Sequence, residues 1–210
     1  MKSKTTGSWA LILVDLQNDF VEGGALAVPD GRAVVETANR LMADFDLVVA
    51  TQDWHPADHQ SFASQHQGFS IGQQFVLNGQ PQTAWPDHCI QNSFGAELVS
   101  NLEANRISKI VRKGMDKSID SYSGFFDNGH QKSTGLAEFL RSEGVDRVAV
   151  MGLATDYCVR FTALDAVQEG FETTLILDGC RGVELQPGDI AKAIEELKQA
   201  GVAVSDFSCV

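Results

Sequence analysis

Apolar runs of strand length recur along this chain, at Trp9 to Val14, Leu47 to Ala50, Ile107 to Val111, Val148 to Met151, Thr173 to Leu177 and Val202 to Val204. They carry few polar interruptions, as strands buried on both faces require. Between them apolar residues fall at helical spacing: Val34, Ala38, Leu41 and Phe45 after a candidate cap at Asp30; Phe94, Leu98 and Leu102; Leu136, Phe139 and Leu140; Val159, Ala163, Ala166 and Val167; Ile190, Ala193, Ile194 and Leu197. This β-α-β-α alternation predicts an α/β fold, a three-layer α/β/α sandwich with a central, mainly parallel six-stranded sheet and right-handed crossovers. One stretch breaks the rhythm. Residues 54–93 are rich in Gln, His, Pro and Gly and far longer than an ordinary connection, which marks them as a functional loop.

At 210 residues, with no repeat or Pro/Gly/Ser linker, the chain suits one domain spanning 1–210. Its formal net charge of −12 and the lack of a basic block argue against nucleic acid or anionic lipid as partners. The start, Met1 to Ser8, lacks a leader-like apolar segment, and no apolar run reaches the length of a spanning helix, so a cytoplasmic protein is expected. The four cysteines, Cys89, Cys158, Cys180 and Cys209, are widely spaced and read as free thiols. Assembly into a homo-oligomer is left open.

In open α/β sheets ligands gather at the carboxyl ends of the strands. Asp15 follows the first apolar run, Lys113 follows the third, and Cys158 follows the fourth through a short segment, at the start of the helix carrying Val159 and Ala163. Taken singly, these are a turn aspartate, a solvated lysine and a small buried apolar group. Together they supply nucleophile, cation and base for covalent acyl transfer. A thiol in the first turn of a helix is also expected to have a pKa below the free value of about 8.5.

A second constellation lies in Asp53-Trp54-His55 and Trp85-Pro86-Asp87-His88. Asp53 and His55 are two apart, so on an extended segment they point the same way, and His88 could close a three-ligand site with open positions on the metal. A chance pairing of loop residues would look the same. His59, His66 and His130 have no such partners in the sequence and read as surface or satisfied histidines; Asp87 reads as a turn residue.

VDLQNDF ending at Phe20, TQDWHP ending at Pro56, WPDHC ending at Cys89, RKG around Lys113, YSGFFDN ending at Asn128 and GLATDYCV ending at Val159 occur in one order over nearly the whole chain. In these motifs the chain resembles the nicotinamidases (pyrazinamidases) of the isochorismatase-like cysteine hydrolases. The resemblance implies a catalytic triad of Asp15, Lys113 and Cys158. It implies one divalent metal (zinc, iron or manganese) on Asp53, His55 and His88, with no organic cofactor. It further implies an aromatic pocket of Phe20, Trp85 and Tyr122 with Leu153, a cis peptide between Leu153 and Ala154, and an oxyanion hole of the Ala154 and Cys158 backbone N–H groups. Ser61 stands where some relatives carry a further metal-side histidine, which leaves open whether Ser61 or water completes the shell. The 54–93 segment then becomes a metal-site and lid loop. The implied activity is hydrolysis of an aromatic carboxamide, nicotinamide, to nicotinate and ammonia, as in NAD salvage. The alternatives are a related cysteine amidase acting on a carbamoyl or ureido compound, and a metal enzyme using Asp53, His55 and His88 without the cysteine.

Overall fold

The computed structural model describes residues 8–206; the Cys209 thiol and the segment before Ser8 lie outside them. Among the described residues eight strands form: β1 (Ser8–Val14), β2 (Leu47–Asp53), β3 (Gln74–Leu77), β4 (Gln80–Thr83), β5 (Lys109–Lys113), β6 (Val145–Leu153), β7 (Glu172–Arg181) and β8 (Ala203–Ser205). Six of them make one sheet in the order β5-β2-β1-β6-β7-β8, with every pairing parallel. Four helices flank it: α1 (Ala33–Leu41), α2 (Leu136–Ser142), α3 (Arg160–Gln168) and α4 (Asp189–Gln199). The step from β1 to β2 runs opposite to the steps from β6 through β7 to β8. Right-handed crossovers therefore place α1 on one face and α3 and α4 on the other.

The order reverses at β1, which sits between β2 and β6 with Ala10 to Val14 fully buried. Such a reversal opens a crevice at the strands' carboxyl ends. Gly152 of β6, at φ +131°, lies against the Val14 backbone, where any Cβ would collide. Only glycine lets β6 close on β1 at this point. Among the described residues no helix is long and apolar enough to cross a membrane.

Three details differ from the sequence reading. The spacing at Phe94, Leu98 and Leu102 does not become an α-helix: only a 3₁₀ turn, Phe94–Ala96, forms, and Phe94 is 74% exposed. Its backbone is taken by other segments. Gln17 and Gln52 each donate a side-chain N–H to the Ala96 carbonyl, Asn18 N–H bonds Glu97 O, and Val99 N–H bonds Leu16 O. Asp30 does not cap α1, which starts at Ala33 without a side-chain cap and stops before Phe45. Within 54–93 lies the antiparallel hairpin β3–β4, turned at Asn78 and Gly79, both with positive φ. Asn-Gly is a strong hairpin signal, masked here by the polar composition of β4.

Candidate active site

Four strand ends deliver the reactive side chains. Asp15 follows β1 at φ +50°, a left-handed turn that aspartate tolerates. Thr51 on β2 fixes it, accepting the Asp15 N–H at 3.2 Å and donating its hydroxyl to Oδ1 at 2.6 Å. Asp53 ends β2, and Gln17 holds its backbone by donating to the Asp53 carbonyl and accepting its N–H, both at 2.8 Å. Lys113 ends β5, two residues further along than the apolar run suggests, because Ile107 closes a 3₁₀ turn before the strand begins.

The Lys113 ammonium is fully buried and organises the centre. It lies 2.8 Å from Asp15 Oδ2 and 2.6 Å from Asp53 Oδ1, donates to the Ser121 carbonyl at 2.9 Å, and points an N–H at Cys158 Sγ at 3.4 Å. Burial opposes its charge, but the two carboxylates outweigh it and hold its pKa well above the usual lysine value. Burial pushes the Asp15 carboxyl up to about 6, with Lys113 pulling against it.

Cys158 is not in the first turn of α3, as the sequence suggested. It sits in a π-turn, Thr155–Val159, that leads into α3 and is kinked at Tyr157. The expected low thiol pKa is also corrected. At 7% exposure, burial raises it well above the ordinary value; Lys113 opposes this, while Asp15 and Asp53 add to it. Burial and the neighbouring carboxylates thus favour the thiol over the thiolate. The Leu153–Ala154 peptide is cis, and the Ala154 carbonyl accepts from the N–H groups of Tyr157 and Val159, passing over that of Cys158.

Beside this cluster Asp53 turns its second oxygen, Oδ2, toward His55 Nε2 at 3.6 Å and His88 Nε2 at 4.0 Å. Each ring is fixed from behind, His55 Nδ1 donating to Gly114 O and His88 Nδ1 to Pro86 O, both at 2.8 Å. These bonds leave both Nε2 atoms free to act as ligands. Burial and His55 push the His88 pKa down to about 4, which keeps that imidazole neutral near pH 7. Donor atoms of all three residues lie within 4.8 Å of one another, and His55 Nε2 is buried without a hydrogen-bond partner. Two imidazoles, one carboxylate and an orphaned nitrogen fit a divalent cation. Gly114, at φ +64°, is packed against the His55 ring so closely that a Cβ would collide with it.

Both clusters face one cavity lined by Phe20, Leu26, Asp53, Trp85, His88, Asp120, Tyr122, Ala154, Tyr157, Cys158 and Val183. Trp85 Nε1 donates to Tyr122 Oη at 3.0 Å, and Gln82 Nε2 reaches the same oxygen and Asp120 Oδ2, each at 2.9 Å. The cavity measures about 30 Å³, far below the ~300 Å³ typical of ligand pockets. A larger groove of about 580 Å³ lies beyond the end of β5, between Met115 to Lys117 and Lys132 to Thr134, but the Lys113 ammonium is turned inward to Asp15 and Asp53.

The structure brings together all the residues singled out in the sequence except the Leu153 side chain, which lies in the core and does not line the cavity. It adds Asp120, Tyr157, Leu26 and Val183, which the sequence reading did not identify. Tyr157 adjoins Cys158, and Asp120 stands two residues before Tyr122, so both had a positional signal. Of the surface or satisfied readings for His59, the surface one does not hold: it is fully buried against His55, ring centroids 4.3 Å apart, and it has His55 and Asp120 as neighbours, which the sequence did not show. Ser61 accepts or donates at His59 Nδ1 at 2.7 Å and thus serves that ring. His66 bonds Gln60 O, and His130 stacks on Phe126 and pairs with Asp165.

Residues 9–208 match the isochorismatase domain. A nicotinamidase of Escherichia coli (strain K12) is 53% identical over 201 residues, 93% of each chain. Among solved structures, an Acinetobacter baumanii nicotinamidase/pyrazinamidase superposes with a TM-score of 0.94 at 42% identity, covering 98% of this chain and 99% of that one. A Pyrococcus horikoshii pyrazinamidase in complex with zinc gives 0.78 at 39% identity, covering 95% and 99%. Fold, motif order and identity agree, and the chain belongs to the isochorismatase domain family, among its nicotinamidases.

Proposed function

We propose that this chain hydrolyses nicotinamide to nicotinate and ammonia, with pyrazinamide as a second substrate, through a thioester on Cys158. The observation that carries the reading is the junction of two machineries at one contact. Lys113 binds Asp15 and Cys158 on one side and Asp53 on the other, while Asp53 also faces His55 and His88. A nucleophile and a cation site thereby open into one aromatic-walled cavity.

Asp15 takes the Cys158 proton as Sγ attacks the carboxamide carbon, and Lys113 stabilises the sulfur as charge develops. The tetrahedral oxyanion faces the N–H groups of Ala154 and Cys158; loss of one such donor typically costs about 10²–10³ in rate. The C–N bond then breaks as Asp15 returns the proton to the leaving ammonia. Water adds to the thioester with Asp15 again as base, nicotinate leaves, and the thiol is restored. Phe20, Trp85 and Tyr122 hold the ring. A divalent cation on Asp53, His55 and His88 would supply a Lewis-acid anchor for the ring nitrogen.

Ammonia release from nicotinamide, pyrazinamide and an N-carbamoyl amine tests the reading. The parent should turn over the two aromatic amides, and Cys158→Ala neither. Turnover confined to the carbamoyl compound, or a Cys158→Ala protein at parental rate, would overturn it.

A further inference from the structure

The oxyanion needs the Cys158 N–H turned toward it, and an ordinary helix start would not leave it there. In an α-helix that N–H would bond back to the carbonyl of Ala154, four residues earlier. Here the Ala154 carbonyl accepts instead from Tyr157 and Val159, one residue to either side, both at 3.1 Å. Tyr157 leaves the helical path at φ −126°, ψ −105°, and this kink is what withholds the Cys158 N–H from the ladder.

Asp156 stands directly before the kink. A carboxylate at the start of a helix ordinarily accepts from N–H groups of its own first turn. The Asp156 side chain turns to the segment that follows β7: Oδ1 accepts the Val183 N–H at 2.9 Å, and Oδ2 accepts the Glu184 N–H at 2.7 Å. A buried carboxylate is thus gripped at both oxygens by successive donors of one backbone, and hydrogen bonds to an ionised acceptor are of the stronger kind. The partner segment is shaped for the grip. Glu184 holds a left-handed φ of +52°, uncommon for a residue with a side chain, and left-handed residues in turns bring successive N–H groups to face one anion. Gly182 puts no side chain in the way; a Cβ there would lie 3.1 Å from Asp156 Oδ1.

This tie joins two walls of the cavity, Ala154, Tyr157 and Cys158 on one side and Val183 on the other. It reaches Val183 only through the backbone, whereas on its own side it adjoins the kink and lies two residues from the sulfur. We propose that Asp156 is a positioning residue of the reaction: clamped by the Val183 and Glu184 N–H groups, it holds the turn kinked at Tyr157, so that the Cys158 N–H stays out of the helix ladder and faces the oxyanion. The inference rests on the reading that Cys158 forms the thioester, and the experiment separates the two.

Three probes are used: nicotinamide, nicotinate and nicotinaldehyde. The aldehyde carbon bonds to the Cys158 sulfur as the carbonyl π bond opens and the thiol proton passes to the oxygen, which then lies where the oxyanion would; nicotinate binds without a tetrahedral carbon. Full-length Asp156→Asn keeps the size of the side chain and loses one acceptor. With folding checked by near-ultraviolet circular dichroism, its kcat should fall about 10²-fold, the scale of losing one oxyanion donor, while KM for nicotinamide stays within about threefold of the parent. Nicotinaldehyde should bind more weakly by a comparable factor, and nicotinate should bind as in the parent. If Asp156→Asn does not fold, Gly182→Ala, which crowds the partner segment and leaves the carboxylate in place, is measured with the same expected and contrary results. A folded variant with parental kcat, or one whose loss lies only in KM and nicotinate affinity, overturns the inference alone. Nicotinaldehyde that binds Cys158→Ala as tightly as the parent overturns the thioester reading and the inference with it.

Discussion

Asp53 and Lys113 meet at 2.6 Å, and through that contact the residue that ends β2 is shared between a nucleophile's lysine and two histidines. The pairing is buried, with the Lys113 side chain wholly inaccessible. Breaking a buried ion pair by removing one partner costs about 3–5 kcal/mol, because the other charge is left stranded. Lys113→Ala should therefore lose stability on that scale in denaturant unfolding, as well as activity. Cys158→Ala, which removes no formal charge, should unfold much closer to the parent. Equal midpoints for parent and Lys113→Ala would contradict this account of the centre.

The pH profile should follow Asp15. Its carboxyl, raised by burial to about 6, must be ionised to take the thiol proton. The sign is fixed by that requirement: the competent form dominates above about pH 6 and is titrated away below it, so kcat/KM for nicotinamide should fall about tenfold per pH unit on the acid limb. A flat profile down to pH 5 would exclude Asp15 as the base.

Tyr122 should matter more for its oxygen than for its ring. Its hydroxyl accepts from both Trp85 Nε1 and Gln82 Nε2 in a buried setting. Tyr122→Phe strands the Trp85 N–H, at a cost of about 1–3 kcal/mol, while Gln82 Nε2 keeps Asp120 Oδ2 and the Thr83 carbonyl. The variant should unfold at lower denaturant and raise KM for nicotinamide. Unchanged stability and unchanged KM together would show that this network does not shape the ring wall.

Gly114 should prove indispensable to the metal set. Its left-handed backbone brings the carbonyl to His55 Nδ1 at 2.8 Å, and a Cβ would strike the same ring. Gly114→Ala should displace His55 and weaken Zn²⁺ binding by tenfold or more, on the scale of losing an outer partner. Parental zinc affinity in this variant would contradict the role assigned to the turn.

How much of this the sequence disclosed follows from which interactions are local. The inner strands β1, β2 and β6 announce themselves because strands covered on both faces must be apolar nearly throughout, whereas the edge strands β5 and β8 are partly exposed; Asp15, Lys113 and Cys158 stand out as polar groups beside the apolar runs. The segment around Phe94 misleads because its helical spacing is overruled by Gln17 and Gln52, which are distant in sequence. The thiol pKa misleads for a similar reason: the sequence displays a helix start, whereas the value is set by burial and by carboxylates arriving from β1 and β2. Asp120 and His59 have no pattern of their own. They acquire meaning only when the 54–93 segment folds over His55 and the run before Tyr122 turns its carboxylate into the cavity.

The central claim is that Cys158 carries the acyl group. Acid quenching of a single turnover with nicotinamide, followed by proteolysis and mass spectrometry, tests it directly. The account predicts a nicotinoyl adduct on the peptide containing Cys158, formed and lost at rates consistent with turnover and lacking in Cys158→Ala. Turnover with no adduct at any time, together with undiminished ammonia release by Cys158→Ala, would contradict it.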